Sequence, residues 1–415
     1  MTYDKKDFEA VVEAVDIKKE IELRIGALKK AGSNYQACCP FHSEKTPSFT
    51  ISPTKKIWKC FGCGEQGDVI SFVSKYDQIS QMEAMRKLAK ENGITVAQIE
   101  KEEEGVTNLQ QAYTALKVAQ VTFESELLRN KTAKRYIVER GIDTALLVKH
   151  WGLGWAGSQY DLQADQKGKE IAGLTKEGRL FFRNRLMFPI QDITGRIVGF
   201  GGRDLSGASK AKYINTQDTP LYHKSKVLYG LHQAIKHIKK SGICIITEGY
   251  FDVIMLHQVK GLEKAVAPCG TSLTKEQAAI LAKHAAIAML MFDGDKPGQK
   301  ATIRAIESLI AVGFKKIEVS VLPDGVDAAD LILDCNRDLS LFIDNVENVD
   351  GFHFLYKNIE GDDETKIKAI LKMIANCPSP LRRDLYIREL ADNSKFSQYT
   401  LIDELAILLR RKAWA

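Results

Sequence analysis

Three apolar runs in the middle of the chain leave few folds open. Ile243-Cys244-Ile245-Ile246-Thr247 stops at Glu248, the run from Ala285 to Phe292 stops at Asp293, and the run from Ile317 to Leu322 comes just before Asp324. The first two do not alternate apolar with polar residues, and each of the three is expected to be a strand buried on both faces. The stretches between them are long enough for crossover helices. A parallel sheet covered by helices meets both conditions, and in such sheets chemistry gathers outside the carboxyl ends of the strands. Glu248, Asp293, Asp295 and Asp327 are therefore expected along one edge, although they lie far apart in sequence.

Asp293 and Asp295 flank Gly294, and in an extended segment residues i and i+2 point the same way, so both carboxylates can face one ion. Lys296-Pro297 then opens the next helix, with proline where its missing N–H costs nothing. Carboxylates gathered on one rim repel unless a cation sits among them, and Mg²⁺ or Mn²⁺ prefers oxygen ligands. A plainer reading is that Asp and Gly here only mark turns. Glu248-Gly249-Tyr250-Phe251-Asp252 upstream and Asp327 downstream, on equivalent strand ends, favour the metal site. The pattern resembles the TOPRIM fold shared by primases, topoisomerases and some nucleases, a fold that does not by itself choose among them.

A length of 415 residues with 45% apolar content suggests two to four ordinary domains. The formal charge of +6 is mild and permits a nucleic-acid partner without demanding one. Met1-Thr2-Tyr3-Asp4-Lys5-Lys6 has no apolar signal core, and no run reaches the length of a membrane span, so a cytoplasmic protein without a membrane partner is expected. Of the 8 cysteines, four cluster between 38 and 63 while Cys244, Cys269, Cys335 and Cys377 are scattered, which suggests metal rather than a disulfide framework.

The cluster reads C-x2-H-x17-C-x2-C: Cys39 and His42, then Cys60 and Cys63. Two knuckles can each present two ligands to a tetrahedral ion, and three thiolates with one imidazole leave no open position, so one structural Zn²⁺ is expected. Cys38, adjacent to Cys39, cannot readily face the same ion. Phe49, Trp58 and Phe61 are interleaved with Lys45, Lys55, Lys56 and Lys59, a mixture that suits single-stranded nucleic acid. Phe49 and Trp58 can equally serve as core, since a small domain needs every apolar group it has.

Helical periodicity covers 8–31 and 66–97, and Glu100-Lys101-Glu102-Glu103-Glu104-Gly105 reads as a flexible linker. Basic and glycine-rich segments follow: Arg179 to Arg185, Gly199 to Arg203, Lys210 to Asn215 and Tyr222 to Lys226. They suit a template or nucleotide track, although a solvated basic face would look the same. Residues 346–415 are helical in pattern, broken at Pro378-Ser379-Pro380.

Cys39-Pro40-Phe41-His42-Ser43-Glu44-Lys45-Thr46-Pro47-Ser48-Phe49, followed by Cys60-Phe61-Gly62-Cys63-Gly64, resembles the zinc-binding domain of DnaG-type primases of bacteria or phage. Arg183-Asn184-Arg185, Met187 to Ile190, Gly199 to Arg203, Lys212-Tyr213, Asn215, His223-Lys224 and Leu228 to Leu231 match motifs of the primase polymerase core in order. Glu248 to Asp252, Gly270 to Thr274 and Asp293 to Gly298 match its catalytic half. The resemblance covers roughly residues 8–345 and implies a multidomain α/β chain. Its parts are a zinc ribbon over 1–98, a linker over 99–109, a mixed α/β basic subdomain over 110–240, a TOPRIM parallel-sheet core over 241–345 and a helical subdomain over 346–415.

That resemblance implies a DNA-dependent RNA polymerase that makes short primers by nucleotidyl transfer. About two Mg²⁺ or Mn²⁺ would be held by Glu248, Asp293, Asp295 and Asp327, while Arg203, Lys212, Tyr213, Asn215 and Lys224 would contact template or nucleotide. Its partners would be single-stranded DNA, ribonucleoside triphosphates and the RNA–DNA primer duplex, in the cytoplasm at replication forks. A replicative helicase is a further partner of such proteins, but the domain that usually docks it is not expected in a chain ending at Ala415. The competing reading is a TOPRIM nuclease acting on DNA with the same metals; a topoisomerase, or a replication module without catalysis, fits less well. Gly325-Val326-Asp327-Ala328-Ala329-Asp330 departs from the family's paired carboxylates, leaving Asp330 either a weaker ligand or a helix cap, and the role of Asp252 open.

Overall fold

The computed structural model describes residues 5–94, 97–142, 145–270 and 272–413. The chain divides into two compact units, Met1–Thr107 and Asn108–Ala415.

In the first unit, β1 (Lys29–Ala31), β2 (Asn34–Ala37), β3 (Phe49–Ser52), β4 (Ile57–Cys60) and β5 (Gln66–Gly67) form an antiparallel sheet in sequence order. Every second residue of β3 and β4 turns inward, which places Phe49, Ile51, Trp58 and Cys60 in the interior. Helices Val69–Asp77 and Gln81–Glu91 supply Phe72, Val73, Met85 and Leu88 to the same core. Phe49 stacks on Trp58 at 5.2 Å, and the indole donates to the Asp68 carbonyl at 2.9 Å. Both rings are therefore core, which removes them from the stacking platform considered above. Phe61 remains 70% exposed, with the Lys59 ammonium 5.4 Å from its ring centre.

The second unit carries two larger sheets. β6 (Gly154–Ala156), β9 (Arg185–Gln191), β10 (Ile197–Asp204) and β11 (Tyr213–Asn215) form an antiparallel sheet in the order β11-β10-β9-β6, beside a small hairpin of β7 (Thr175–Lys176) and β8 (Arg179–Leu180). Against it packs the helix Ala97–Arg129, through Ala112, Ala115, Leu116, Ala119 and Phe123. This helix also runs through 99–109, where a flexible linker was expected. Lys, Glu and Gln are good helix formers, so a shortage of apolar residues there does not break a helix.

The catalytic sheet comprises β12 (Leu228–Tyr229), β13 (Ile243–Ile246), β14 (Ala265–Pro268), β15 (Ile287–Leu290), β16 (Lys316–Val321) and β17 (Glu347–Asp350), in the order β12-β14-β13-β15-β16-β17. The pairs β14·β13, β13·β15 and β15·β16 are parallel, with antiparallel β12 and β17 closing the two sides. The three expected runs are β13, β15 and β16. β14 adds a fourth parallel strand, and β17 a short strand at the start of a segment read as wholly helical. Helices Gly351–Asn358, Asp363–Ala375 and Pro380–Asp392 follow, and Phe352, Leu355, Ile370 and Tyr386 join the core cluster that holds Ala288 and Val319 of the sheet. The expected break falls between Ala375 and Pro380, where the Ser379 hydroxyl caps the new helix.

Candidate active site and zinc centre

β13 ends at Ile246, and the chain turns through Thr247 and Glu248 into the buried helix Tyr250–Leu256. Asp252 in its first turn is buried, and its two oxygens serve different segments. Oδ2 accepts the Gly249 N–H at 2.8 Å and Oδ1 accepts the Ala329 N–H at 3.2 Å, so one carboxylate ties the turn beyond Glu248 to the helix beyond Asp327. β15 leads to Asp293, whose N–H donates to Glu248 Oε1 at 3.4 Å. A Cβ on Gly294 would lie 2.0 Å from the Pro323 carbonyl oxygen, and one on Gly298 would lie 2.1 Å from that of Asp293, so both positions need the hydrogen of glycine.

Asp295 and Asp327 are each helix N-caps. Asp295 accepts the Gly298 N–H at 2.8 Å and opens the helix Lys296–Ala311, while Asp327 accepts the Asp330 N–H at 2.7 Å and opens Ala328–Asp334. Asp330 is in the first turn as expected, but its carboxylate is turned to Arg140 Nη1 at 3.0 Å and is 53% exposed.

A cavity of about 360 Å³ gathers these groups. Glu248, Asp252, Asp293 and Asp327 line it on the side of the catalytic sheet, and Arg203, Lys212, Tyr213, Asn215 and Lys224 on the side of β10 and β11, with Arg140 at its margin. The structure thus brings together Glu248, Asp252, Asp293 and Asp327 with all five basic or polar residues, while Asp295 and Asp330 do not line the cavity. Arg140 was not foreseen: it follows the helix Lys131–Glu139 with no motif around it, and only the fold carries it to Asp330.

Electrostatics mark the acidic wall. Burial, then the charges of Asp252, Glu248, Asp327 and Asp295, pushes the Asp293 carboxyl up to about 8. Burial and then Asp327 push Asp252 up to about 7, and burial raises Glu248. Mutually repelling, half-buried carboxylates fit a divalent cation, which offsets the repulsion that the polypeptide leaves in place.

The opposite wall is fixed by aromatic rings. Arg203, only 9% exposed, lies 5.1 to 5.2 Å from the ring centres of Tyr136, Tyr213 and Phe251 and donates to the Tyr213 hydroxyl at 2.7 Å. Asn215 accepts from the Tyr250 hydroxyl at 2.8 Å and donates to the Cys269 carbonyl, which joins β11 to the catalytic sheet. Arg185 is consumed structurally: it donates to the carbonyls of Gly202 and Ala211 and to the Ser209 hydroxyl, holding the loop that presents Lys212.

In the first unit the donor atoms of Cys39, His42, Cys60 and Cys63 all lie within 4.8 Å of one another. The Cys39–Cys63 sulfur separation and the Cys60 Sγ to His42 Nδ1 separation are both 3.9 Å. A tetrahedral zinc with bonds near 2.3 Å has edges of roughly 3.8 Å, so the four atoms already outline its shell. Against the effect of burial, the Ser48 hydroxyl and the N–H groups of Cys63 and Gly62 hold the Cys60 thiol below its ordinary pKa, whereas burial pushes the neighbouring Cys39 thiol up. Cys38 is exposed and outside the cluster.

A closed thiolate–imidazole centre in one unit, with a carboxylate rim facing a basic wall on a parallel sheet in the other, defines a zinc-bearing, metal-dependent enzyme of phosphodiester chemistry. Comparison with known proteins narrows this class. Residues 3–104 match the CHC2 zinc finger, 122–235 the DNA primase catalytic core N-terminal domain, and 245–332 the Toprim-like family. The DNA primase of Clostridium acetobutylicum is 34% identical over 96% of this chain and 68% of its own length; that of Aquifex aeolicus is 39% identical over 75% and 63%. A solved structure of the zinc-binding and RNA polymerase domains of the Aquifex aeolicus primase superposes with a TM-score of 0.61 at 33% identity, covering 97% of this chain and 99% of that one. A DnaG primase catalytic domain solved with single-stranded DNA gives 0.59 at 25% identity over 69% of this chain and 97% of its own. The chain belongs to the DNA primase family, whose catalytic core is that of a nucleotidyltransferase.

Proposed function

We propose that the chain synthesises short RNA primers on single-stranded DNA, working in the cytoplasm at replication forks. The observation that carries this reading is the single cavity in which carboxylates from three parallel strand ends face Arg203, Lys212 and Lys224. Divalent ions held by Glu248, Asp293 and Asp327 would supply positive charge to the attacking 3′-hydroxyl and to the α-phosphate. Asp295 supports their field from its capping position, and Asp252 fixes the spacing of the Glu248 and Asp327 segments.

Lys212 and Lys224 are exposed at the cavity and free to follow a phosphate chain. A glycine at 270 leaves room for the Lys224 stem, since a Cβ there would sit 2.5 Å from Lys224 Cε. Arg203, clamped among rings, presents its charge without losing rotamer freedom on binding. The protein contributes position and charge rather than a covalent nucleophile. Template strand, ribonucleoside triphosphates and the growing primer duplex are the ligands this cavity would share.

Labelled ribonucleotides supplied with an unlabelled single-stranded template separate this reading from the nuclease one. Synthesis yields alkali-labile, template-complementary oligoribonucleotides and leaves the template whole. Shortened template with no ribonucleotide incorporated would establish the nuclease instead.

A further inference from the structure

The edge of the catalytic sheet opposite the carboxylates carries a charge pattern of its own. The four parallel strands enter there side by side in the order β14, β13, β15, β16. The Lys264 carbonyl accepts the Ile245 N–H at 3.1 Å. That of Gly242 accepts from Ala286 and Ile287 at 2.7 and 3.0 Å, and that of Ala286 accepts from Lys316 at 3.0 Å. Every entry turn delivers cations: Lys260 and Lys264 before β14, Lys239 and Lys240 before β13, Lys283 with His284 before β15, and Lys315 before β16. Glu263 is the carboxylate these turns contain, and it faces His237 at 3.9 Å. Lys316 is neutralised by Glu318, which ends the row on that side.

Lys239, Lys240, Lys260, Lys264, Lys283 and Lys315 make no ion pair among the described residues, and all but the half-buried Lys264 are exposed. Cations at helix carboxyl ends answer the helix dipole, which accounts for Lys239, Lys240 and Lys283. It does not account for Lys260, Lys264 and Lys315, which lie in turns. Burial, then Lys239 and Lys283, holds the His284 imidazole below its ordinary pKa, so cations of neighbouring entry turns converge on it.

We propose that this row is a second nucleic-acid contact, one that holds the phosphate backbone of single-stranded template on the side of the sheet away from the carboxylates. Strands about 4.8 Å apart make a row about 14 Å long, which spans a few phosphates of a single strand. The intervening strands of 4 to 6 residues set it roughly 13–20 Å from the rim. A template leaving the cleft is long enough to reach it, and a short one held in the cleft is not. This inference rests on the chain being a template-directed polymerase.

The test uses the full chain carrying Lys239→Gln, Lys264→Gln and Lys283→Gln together, with the three Lys→Arg changes as the charge-retaining counterpart. Binding of a 40-nucleotide and a 4-nucleotide oligothymidylate is followed by fluorescence anisotropy across a salt series, and polyglutamate binding is measured alongside. Loss of three phosphate contacts should lower the salt slope on the longer strand by about 2 and weaken its binding about tenfold at low salt. The shorter strand should change less than about twofold, and the arginine variant should bind as the parent does. Unchanged affinity and slope on the longer strand would overturn the proposal, as would loss of polyglutamate binding alone, which would make the row a surface for an acidic protein segment. Primer synthesis by the parent is measured in the same preparation: its absence would count against the polymerase reading, while the binding comparison would still judge the row.

Discussion

Replacing Asp293 with Asn should stabilise the metal-free protein while abolishing nucleotidyl transfer. The Asp293 carboxyl accepts no hydrogen bond from a described residue, so the amide breaks no contact, and its volume is nearly the same. Burial and four neighbouring acids raise it from 3.8 to about 8. A carboxylate whose folded value is raised gives its full stability below its unfolded value, and that stability is lost as pH rises through the folded one. Taken whole, the shift would amount to roughly 6 kcal/mol at about 1.4 per pH unit, but a half-exposed group in screened surroundings retains only about 1–3. In chelator at pH 9, Asp293→Asn should therefore unfold at higher denaturant by about that energy, and at pH 4 the two proteins should coincide. Mg²⁺ at ten times its dissociation constant should return about 1.4 kcal/mol to the parent and much less to the variant. A variant less stable than its parent in chelator at pH 9 would refute the repulsion argument.

Other outcomes are checked as directly. Cys60→Ser should release the zinc, read by elemental analysis as a fall from one ion per chain, because three remaining donors leave the tetrahedron open. Asp327→Asn should nearly silence the enzyme, whereas Asp330→Asn should leave the Mg²⁺ titration of activity unaltered, since that carboxylate is paired with Arg140; a raised metal requirement in the latter would make it a ligand after all. Burial pushes the His257 imidazole from 6.5 down to about 4 while its ring pairs with the Ala265 carbonyl. The stability it contributes is present above pH 6.5 and lost as pH falls to 4, so the parent should lose about 3 kcal/mol more than His257→Gln over that window, and parallel pH profiles would contradict it.

What could be read from the sequence was what local pattern encodes. β13 and β15 are unbroken apolar runs, β16 sets Ile317, Val319 and Val321 between Glu318 and Ser320, and the paired knuckle spacing of Cys39, His42, Cys60 and Cys63 names its own geometry. β14 is only Ala-Val-Ala-Pro, and β17 is Glu-Asn-Val-Asp, polar enough that its pairing with β16, rather than its composition, makes it a strand. Asp252 acts on Ala329 and Arg140 on Asp330 across long sequence separations, where periodicity carries no signal. Asp293 and Asp295 looked equivalent by spacing, but Asp293 lines the cavity while Asp295, which caps the next helix, does not. The charged run near 100 shows the converse error, since composition that suits a linker also suits a helix.

The central claim is that the carboxylate rim holds metal against the α-phosphate of an incoming ribonucleotide. Single-turnover primer extension with α-thio ribonucleoside triphosphates tests it most directly, because sulfur binds Mg²⁺ poorly and Mn²⁺ better. One thio diastereomer should be incorporated at least about tenfold more slowly than the oxygen substrate in Mg²⁺, with the deficit largely removed by Mn²⁺. Equal rates for both diastereomers and the oxygen substrate in either metal, in an assay limited by chemistry, would show that no metal on this rim touches the reacting phosphate.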